Sequence, residues 1–461
     1  MLLNSEKNNY ILFHLAQHWE TQKEISDLFC FEQSEDIKVN SHKNRIIFPL
    51  SKDDTIEPIY INVLEREVPI FFPVFRDKNE PFYLDSFGNL IFTHDYLKSS
   101  FYILSGFQEI NSNDRDFVGR YKYDNSIQKK YDCVTIPIVN YYFEVILQGL
   151  ELFCATHGMQ FKRKRFFDNF GFLLSHDVDQ ISFWHWRETA YKLKQIIGLA
   201  PLIYSKKITI KLFFKGLLKL INPFDKSDPW WNFDEIIKLE NDLKIKSAYY
   251  FLRKEDKTKD SLYKFNNKKI KSLIKTLIEQ EYEVNLHGTI KSAENINSML
   301  KQVNIFKKEF GKQPIGIRQH FLRFFHPQTF LLQEKVGLKY DTTLAFAEHD
   351  GYRNGYCYPF KPYDFENERT INIWEIPLIM MEVSMLNYRK LNFSEIKKSV
   401  FLHIEEVKKF GGIFSMLWHN SRLSEYENMG ITGFYETLLK GIIEQEPICL
   451  TGENLIENFC K

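Results

Sequence analysis

Short apolar runs alternate with helix-length segments over the last two-thirds of the chain, from about residue 170 onward. Apolar runs of about four to eight residues bounded by polar segments are typical of buried strands. Such runs, separated by amphipathic helical segments, predict repeated βα units and a parallel sheet. We therefore expect an α/β protein whose last two-thirds folds as a β/α barrel.

The apolar pattern assigns eight strands and six helices to this part. The predicted strands are 172–175, 247–252, 282–286, 315–318, 339–344, 371–378, 413–418 and 448–450. The predicted helices are 233–243, 269–281, 292–310, 329–336, 394–410 and 434–443.

The first 160 residues have a different rhythm. Short β-type runs at 45–50, 59–64 and 68–75 are mixed with helical patterns at 99–109 and 136–153, which is typical of a small α+β domain. The basic stretch 162–165 marks the junction. We predict two domains, at 1–160 and 170–461. The sequence of the amino-terminal domain contains no catalytic motif.

An insertion at about 190–225 departs from the alternation, because it is rich in lysine and in large apolar residues. One interpretation is an amphipathic helix pair at 190–220 that contacts a membrane surface or a lipid-linked substrate. The other is a helical insertion packed on the barrel, with its lysines solvated. The second is favoured, since core-facing stripes outnumber membrane-facing ones.

Composition and charge narrow the function classes. The chain has 461 residues, 44% of them hydrophobic, and 61 basic residues against 60 acidic ones, so it lacks the field that attracts nucleic acid. Six separated cysteines predict reduced, mostly buried thiols. The amino terminus has no signal-peptide pattern and no apolar run reaches about 18 residues, so we expect a cytoplasmic protein without a transmembrane segment.

Polar residues follow the predicted strands at equivalent places. In a β/α barrel the carboxyl ends of the strands converge on one rim, which carries the active site. The residues delivered there are Asp177, Asp179, His287, Arg318, His320, Trp374, Glu375 and His419. Alone, an Asp-x-Asp is as often a turn or a helix cap, and a single histidine is more often structural. Together they favour a site with a metal ligand, a proton acceptor and a proton donor.

These residues lie in the segments SHDVD, LHGT, GIRQHFLR, IWEIPL and LWHN, in that order. The series resembles the motifs of polysaccharide deacetylases, the NodB-homology or carbohydrate esterase family 4 group. More narrowly, the chain is similar to a bacterial branch with an extra amino-terminal domain. The resemblance implies a distorted β/α barrel that removes acetyl groups from carbohydrates with a divalent metal, commonly zinc.

Carried over by motif, the resemblance implies roles for individual residues. Asp177 would be the general base, Asp179 and His287 metal ligands, Arg318 the residue that orients the base, and His419 the general acid, with Trp374, Glu375 and Trp418 at the substrate pocket. Lys291 stands where the family has its second ligand histidine. We hypothesise that His320 supplies the missing nitrogen.

The sequence thus predicts a metal-dependent deacetylase acting on an N-acetylated sugar in envelope or surface-polysaccharide biosynthesis. A lipid-linked or nucleotide-linked precursor fits an intracellular enzyme better than a finished polymer. Two alternatives stay open. Lys291 favours a catalytically silent barrel that binds carbohydrate or scaffolds a biosynthetic complex, and a related barrel could hydrolyse another C–N bond, such as that of a cyclic amide.

Overall fold

The computed structural model describes residues 5–20, 23–33, 44–78, 80–110, 112–202, 205–221, 228–256, 259–426 and 428–460. Its strands are β1 (Phe29–Gln33), β2 (Ile46–Leu50), β3 (Ile59–Val63), β4 (Arg66–Ile70), β5 (Phe82–Leu84), β6 (Leu90–Phe92), β7 (Gly171–Val178), β8 (Ala248–Leu252), β9 (Glu283–Gly288), β10 (Gly316–Gln319), β11 (Tyr340–Asp341), β12 (Tyr363–Asp364), β13 (Arg369–Thr370), β14 (Trp374–Glu375), β15 (Met380–Met381), β16 (Ile413–Leu417) and β17 (Ile448–Cys449).

The helices lie between these strands. They are α1 (Ser5–Leu15), α2 (Lys23–Ser26), α3 (Tyr96–Leu104), α4 (Phe107–Ile110), α5 (Ile127–Lys130), α6 (Ile138–His157), α7 (Trp186–Ile196), α8 (Lys206–Ile221), α9 (Phe233–Asp242), α10 (Lys268–Glu279), α11 (Ile296–Phe310), α12 (Gln328–Lys335), α13 (Phe393–Phe410), α14 (Ile431–Ile443) and α15 (Gly452–Phe459).

A nine-stranded, wholly parallel sheet organises the second part of the chain. Its order is β14-β11-β10-β9-β8-β7-β16-β15, with β17 also paired to β7. The end strands β14 and β15 are joined by a connection that runs from Glu375 to Met380, and so few residues span at most roughly 17 Å. The sheet must therefore curl until its two ends nearly meet. The prediction of a distorted β/α barrel is confirmed.

Every predicted barrel strand overlaps an observed one, but those predicted at 339–344 and 371–378 are each cut to two residues. Carboxylates explain the cut at 339–344. The backbone N–H of Thr343 donates to Asp341 Oδ1 and that of Leu344 to Glu375 Oε1, so side chains take the donors that would extend the ladder.

The amino-terminal part is built on a smaller mixed sheet. Its order is β1-β2-β6-β5, parallel except for β5 with β6, and β3 and β4 form a separate antiparallel hairpin. Helix α6 is apolar and long enough to cross a membrane by length and composition, yet 78% of that window is buried inside the protein. It is the core helix of this part.

One hydrophobic core runs through both parts. A buried ion pair crosses between them, in which Arg353 donates through Nε and Nη2 to the two carboxylate oxygens of Glu109 at 2.8 and 2.6 Å. Burial raises the pKa of Glu109, but Arg353 outweighs it and the pKa falls below its ordinary value. The division into two domains stays a prediction.

His14 on α1 joins the amino-terminal part to the barrel as a neutral ring. Its Nδ1–H donates to the carbonyl of Tyr10 at 2.8 Å, and its Nε2 accepts the backbone N–H of Lys361 at 3.0 Å. Burial lowers the pKa of His14 from its ordinary 6.5 to about 3. Protonation would remove the acceptor on which Lys361 depends.

We predict that this histidine makes the fold acid-sensitive. Above pH 6.5 the His14 ring is neutral in the folded and in the unfolded protein. Below pH 6.5 the unfolded chain binds a proton that the folded protein does not, so the free energy of unfolding falls as the pH drops toward 3. The loss attributable to His14 at pH 5 is about 2 kcal/mol. Urea midpoints between pH 7.5 and pH 5 measure it, and His14→Gln, which keeps a donor and an acceptor, should flatten the dependence. Parallel pH curves for the two proteins would contradict the assignment.

Candidate active site

The carboxyl end of β7 brings two aspartates to the barrel rim. Side chains of a strand alternate between its faces, so Asp177 and Asp179 share one side and His176 lies on the other. His176 accordingly bonds away from the rim, through Nε2 to Glu240 Oε1 of α9 at 2.7 Å. The predicted shared side of the two carboxylates follows from this period of two.

Arg318, on β10, is fully buried and fixes Asp177. Its Nη1 donates to Asp177 Oδ1 at 2.8 Å, its Nη2 to Ser175 Oγ at 3.0 Å, and its Nε to the carbonyl of Thr342 at 2.9 Å. Burial lowers the pKa of Arg318, but Asp177 and the neighbouring Tyr250 raise it above its ordinary value. The guanidinium is therefore charged, and it neutralises a buried carboxylate.

Asp179, His287 and His320 form a group whose ligand atoms all lie within 4.8 Å of one another. His287 Nε2 is 3.2 Å from Asp179 Oδ1, and His320 Nε2 is 3.7 Å from Asp179 Oδ2. Two imidazoles and one carboxylate are the three-ligand set of many catalytic zinc sites. Asp179 Oδ1 is buried and makes no hydrogen bond of good geometry, as expected of an atom reserved for a metal.

The hydrogen bonds behind the two rings suit metal binding. His287 Nδ1–H donates to the carbonyl of Arg318 at 2.8 Å, which leaves a lone pair on the Nε2 that faces Asp179. His320 Nδ1 lies 3.6 Å from Asp260 Oδ1, so a carboxylate stands behind the second ring as well. The residues present therefore fit a divalent ion.

The charges around Asp179 reinforce one another. Burial raises the pKa of Asp179, but His320 and His287 outweigh it and the pKa falls well below the ordinary value. Burial lowers the pKa of His320, while Asp179 and Asp260 raise it to about 9. Without a metal, His320 carries the positive charge that balances Asp179.

His419 directly follows β16, which pairs with β7 on the edge away from β8, β9 and β10, and its ring faces the same group of ligand atoms. Its Nε2 is 3.7 Å from Asp179 Oδ2, and its Nδ1 is 2.6 Å from Glu382 Oε1. Burial lowers the pKa of His419, but Glu382 and then Asp179 raise it to about 9. A protonated imidazole thus stands beside the cluster, held by a carboxylate that follows β15.

The other predicted residues lie apart from this cluster. Lys291 is exposed, and His320 occupies the place beside Asp179 and His287. Trp374 packs near Phe13 of α1, under the Lys361 ammonium. Trp418 is buried against Tyr435 and Phe434 of α14.

Glu375 is fully buried and bonded to Asp341, and burial followed by that neighbouring charge raises its pKa well above the ordinary value. These contacts are those of packed core residues. The predicted substrate-pocket role of Trp374, Glu375 and Trp418 stays a prediction.

Sequence reasoning missed Glu382 and Asp260, the carboxylates behind His419 and His320. Glu382 follows β15, which is too short to leave an apolar pattern of its own, and Asp260 lies in the loop after β8. Neither belongs to a motif segment. An acidic residue directly after the buried pair Met380 and Met381 was the available signal for the first.

A loop of the amino-terminal part also reaches the rim. Arg120 donates through Nη1 to the carbonyl of Phe321 at 3.1 Å and through Nη2 to Tyr388 Oη at 3.0 Å. Phe321 has a φ of 61° and stacks on the His320 ring, with 4.0 Å between centroids. A non-glycine residue in this left-handed region is strained, so the surrounding contacts must hold it.

Comparisons with known proteins find partial likenesses. A sequence family of unknown function, DUF7033, matches residues 3–154. No protein of curated function matches the chain. Among solved structures, one named as a polysaccharide deacetylase from Mycobacterium smegmatis is 10% identical, with a TM-score of 0.39 over 62% of this chain and 89% of the other.

Two further structures have similar scores. PuuE allantoinase is 12% identical, with a TM-score of 0.40 over 62% of this chain and 89% of the other. A carbohydrate esterase family 4 pseudoenzyme from Bacillus anthracis is 8% identical, with a TM-score of 0.31 over 62% and 66%. Likenesses this low do not identify the chain with any of these proteins.

The ligand geometry predicts one divalent ion per chain. Asp179→Asn and His320→Gln should each weaken zinc binding about 10-fold or more, because each removes a direct ligand or its charge. Lys291→Ala is the matched control, since this exposed side chain lies four positions after His287 but outside the cluster. Isothermal titration of the metal-free protein gives the affinities. Equal weakening by Lys291→Ala would contradict the assignment.

The Arg120 contact predicts that the amino-terminal part tunes this affinity. Arg120→Ala frees the carbonyl of Phe321, whose ring stacks on that of His320, and should weaken zinc binding several-fold without removing a ligand. Arg76→Ala, an exposed arginine of the same part, is the control. Unchanged affinity in Arg120→Ala, with the protein folded by circular dichroism, would show that the loop is only a structural neighbour.

Proposed function

We propose that the protein is a metal-dependent hydrolase that removes N-acetyl groups from a sugar. The observation that carries this proposal is that candidate metal ligands lie beside a separate proton acceptor and a separate proton donor. Asp179, His287 and His320 form a ligand set, while Asp177 and His419 stand beside it with partners of their own. A mere structural metal site has no need of a separate carboxylate and a separate imidazolium.

Asp179, His287 and His320 would hold the ion. When bound, a divalent ion supplies Lewis acidity toward water and toward a carbonyl oxygen. The remaining steps belong to the chain's own residues. Asp177 Oδ2 lies 3.6 Å from His287 Nε2, at the edge of the ligand set, and Arg318 occupies its other oxygen. Asp177 is placed to take the proton from a water that attacks the acetyl carbon.

In this proposal His419 supplies the last proton of the reaction. Its Nδ1 is bonded to Glu382, so the Nε2–H points toward the ligand set and can protonate the departing amine. Glu382 fixes the ring and stabilises its positive charge, as a carboxylate does behind the histidine of a catalytic triad. Base and acid thus flank the same group of ligands.

The motif series is similar to that of carbohydrate deacetylases, and this supports an N-acetylated sugar as the substrate. We further propose a cytoplasmic role in envelope or surface-polysaccharide biosynthesis, with a lipid-linked or nucleotide-linked precursor and zinc as the metal. A hydrolase of another C–N bond would use the same five residues. The nature of the released product separates the two.

Acetate release from N-acetylated sugar precursors is the test of activity. Asp177→Asn and His419→Gln should each lower kcat by about 10²- to 10⁴-fold, because each removes proton transfer, while zinc still binds. Asp179→Asn should lose metal and activity together. Ring-opened product from cyclic amides would favour the other hydrolase.

A catalytically silent barrel gives a different set of results. It would bind zinc or sugar with no acetate released from any precursor, and Asp177→Asn would leave sugar binding unchanged. That combination would reject the enzyme while keeping the metal site.

A further inference from the structure

The insertion between β7 and α9 forms a helical hairpin, α7 and α8, and Asn420 after β16 anchors its base by donating to the carbonyl of Trp230 at 2.7 Å. Asp228 accepts hydrogen bonds from the backbone N–H groups of Phe183, Trp184 and Trp230 at 2.8, 3.2 and 3.0 Å. Phe183, Trp184 and Trp230 form a buried cluster with Leu212 of α8. The hairpin is thus an ordered part of the fold.

The two helices touch each other along small side chains. A Cβ at Gly216 would lie 2.7 Å from Thr189 Oγ1, so α8 approaches α7 closely there. Thr209 and Leu212 on α8 and Lys192 on α7 are buried on the same side. These residues form the inner face of the hairpin.

The outer faces carry a second apolar stripe on each helix. On α8 it consists of Ile210, Phe214, Leu217 and Ile221, with 36, 59, 37 and 77% of their surface exposed. On α7 it consists of Trp186, Leu193 and Ile197, and the connection adds Leu199, which is 75% exposed. Spacings of four, three and four place the α8 residues on one side of the helix. The expectation that such stripes face the core is wrong for these side chains.

The charge of the hairpin has one sign. Residues 189–224 contain seven lysines and no aspartate or glutamate. Lys206, Lys207 and Lys211 are exposed beside the outer stripe of α8. Apolar residues flanked by lysines on a helix are typical of segments that lie in the plane of a membrane interface.

We propose that the outer face of the α7–α8 hairpin docks on an anionic lipid bilayer surface. Charge decides between this occupant and a second copy of the chain. Two hairpins facing each other would bring like charges together, whereas acidic headgroups neutralise the lysines and the bilayer takes up the apolar stripe. The hairpin begins at the carboxyl end of β7, so docking brings the rim that carries Asp177 and Asp179 toward the membrane.

Vesicle flotation of the full chain tests the proposal. The protein should bind vesicles of phosphatidylcholine with roughly a quarter phosphatidylglycerol, bind phosphatidylcholine alone much more weakly, and lose binding in high salt. The double variant Lys207→Glu/Lys211→Glu should weaken binding about 10-fold or more. Lys397→Glu/Lys398→Glu, a pair of exposed lysines on α13, is the matched control.

The apolar stripe is tested with matched leucines. Leu218 is 69% exposed and lies four residues after Phe214, on the same side of α8 as the stripe. Leu218→Asp should abolish flotation, and Leu300→Asp on α11, another exposed helix leucine, should not. Zinc binding by each variant is measured separately, so a failure here is distinct from a failure of the proposed enzyme.

The proposal is overturned if wild-type protein binds neither vesicle, or if all four variants bind as it does. It is also overturned if sedimentation velocity shows a dimer that Leu218→Asp dissociates while no vesicle is bound, because the hairpin then joins two copies.

Discussion

The buried pair of Arg318 and Asp177 is the constraint on which the site depends. A carboxylate at this depth is stable only with a counter-charge, and the guanidinium is in turn held by Ser175 and Thr342. The backbone carbonyl of Arg318 also accepts the Nδ1–H of His287 and so fixes that ring. Arg318 thus links β7, β9 and the residue after β11, holding the carboxylate of Asp177 and the ring of His287 in place.

The parallel sheet explains how such distant residues meet. Asp177, His287, Arg318 and His419 come from strands that are neighbours in the order β10-β9-β8-β7-β16, and their carboxyl ends share one rim. Because successive side chains of a strand point to opposite faces of the sheet, they then alternate between the barrel interior and the helix layer. The amino-terminal part adds Arg120, which donates to the backbone carbonyl of Phe321, the residue after His320.

The sequence predicts what is periodic or local. Strand ends and the Asp-x-Asp spacing follow from apolar runs, so the cluster's members could be named, although their roles rest on a resemblance. Glu382 and Asp260 could not be named from the sequence, because their contacts with His419 and His320 join residues that are distant in the chain and follow no regular spacing. The short strand β11 was overestimated for a related reason, since the carboxylates of Asp341 and Glu375 take the N–H groups of Thr343 and Leu344 that would extend it. Periodicity also cannot tell an inward stripe from an outward one, as Phe214 shows.

The lysine at position 291 was the main argument for a silent barrel, and the structure weakens it. A metal site needs three nitrogen or oxygen atoms arranged around one ion, and their positions in the sequence do not matter. His320 directly follows β10, the strand next to that of His287; it lies close to Asp179 and has its own carboxylate behind it. A chain with a third candidate ligand directly after the adjacent strand is free to expose a lysine after His287, so Lys291 does not by itself argue against a metal site.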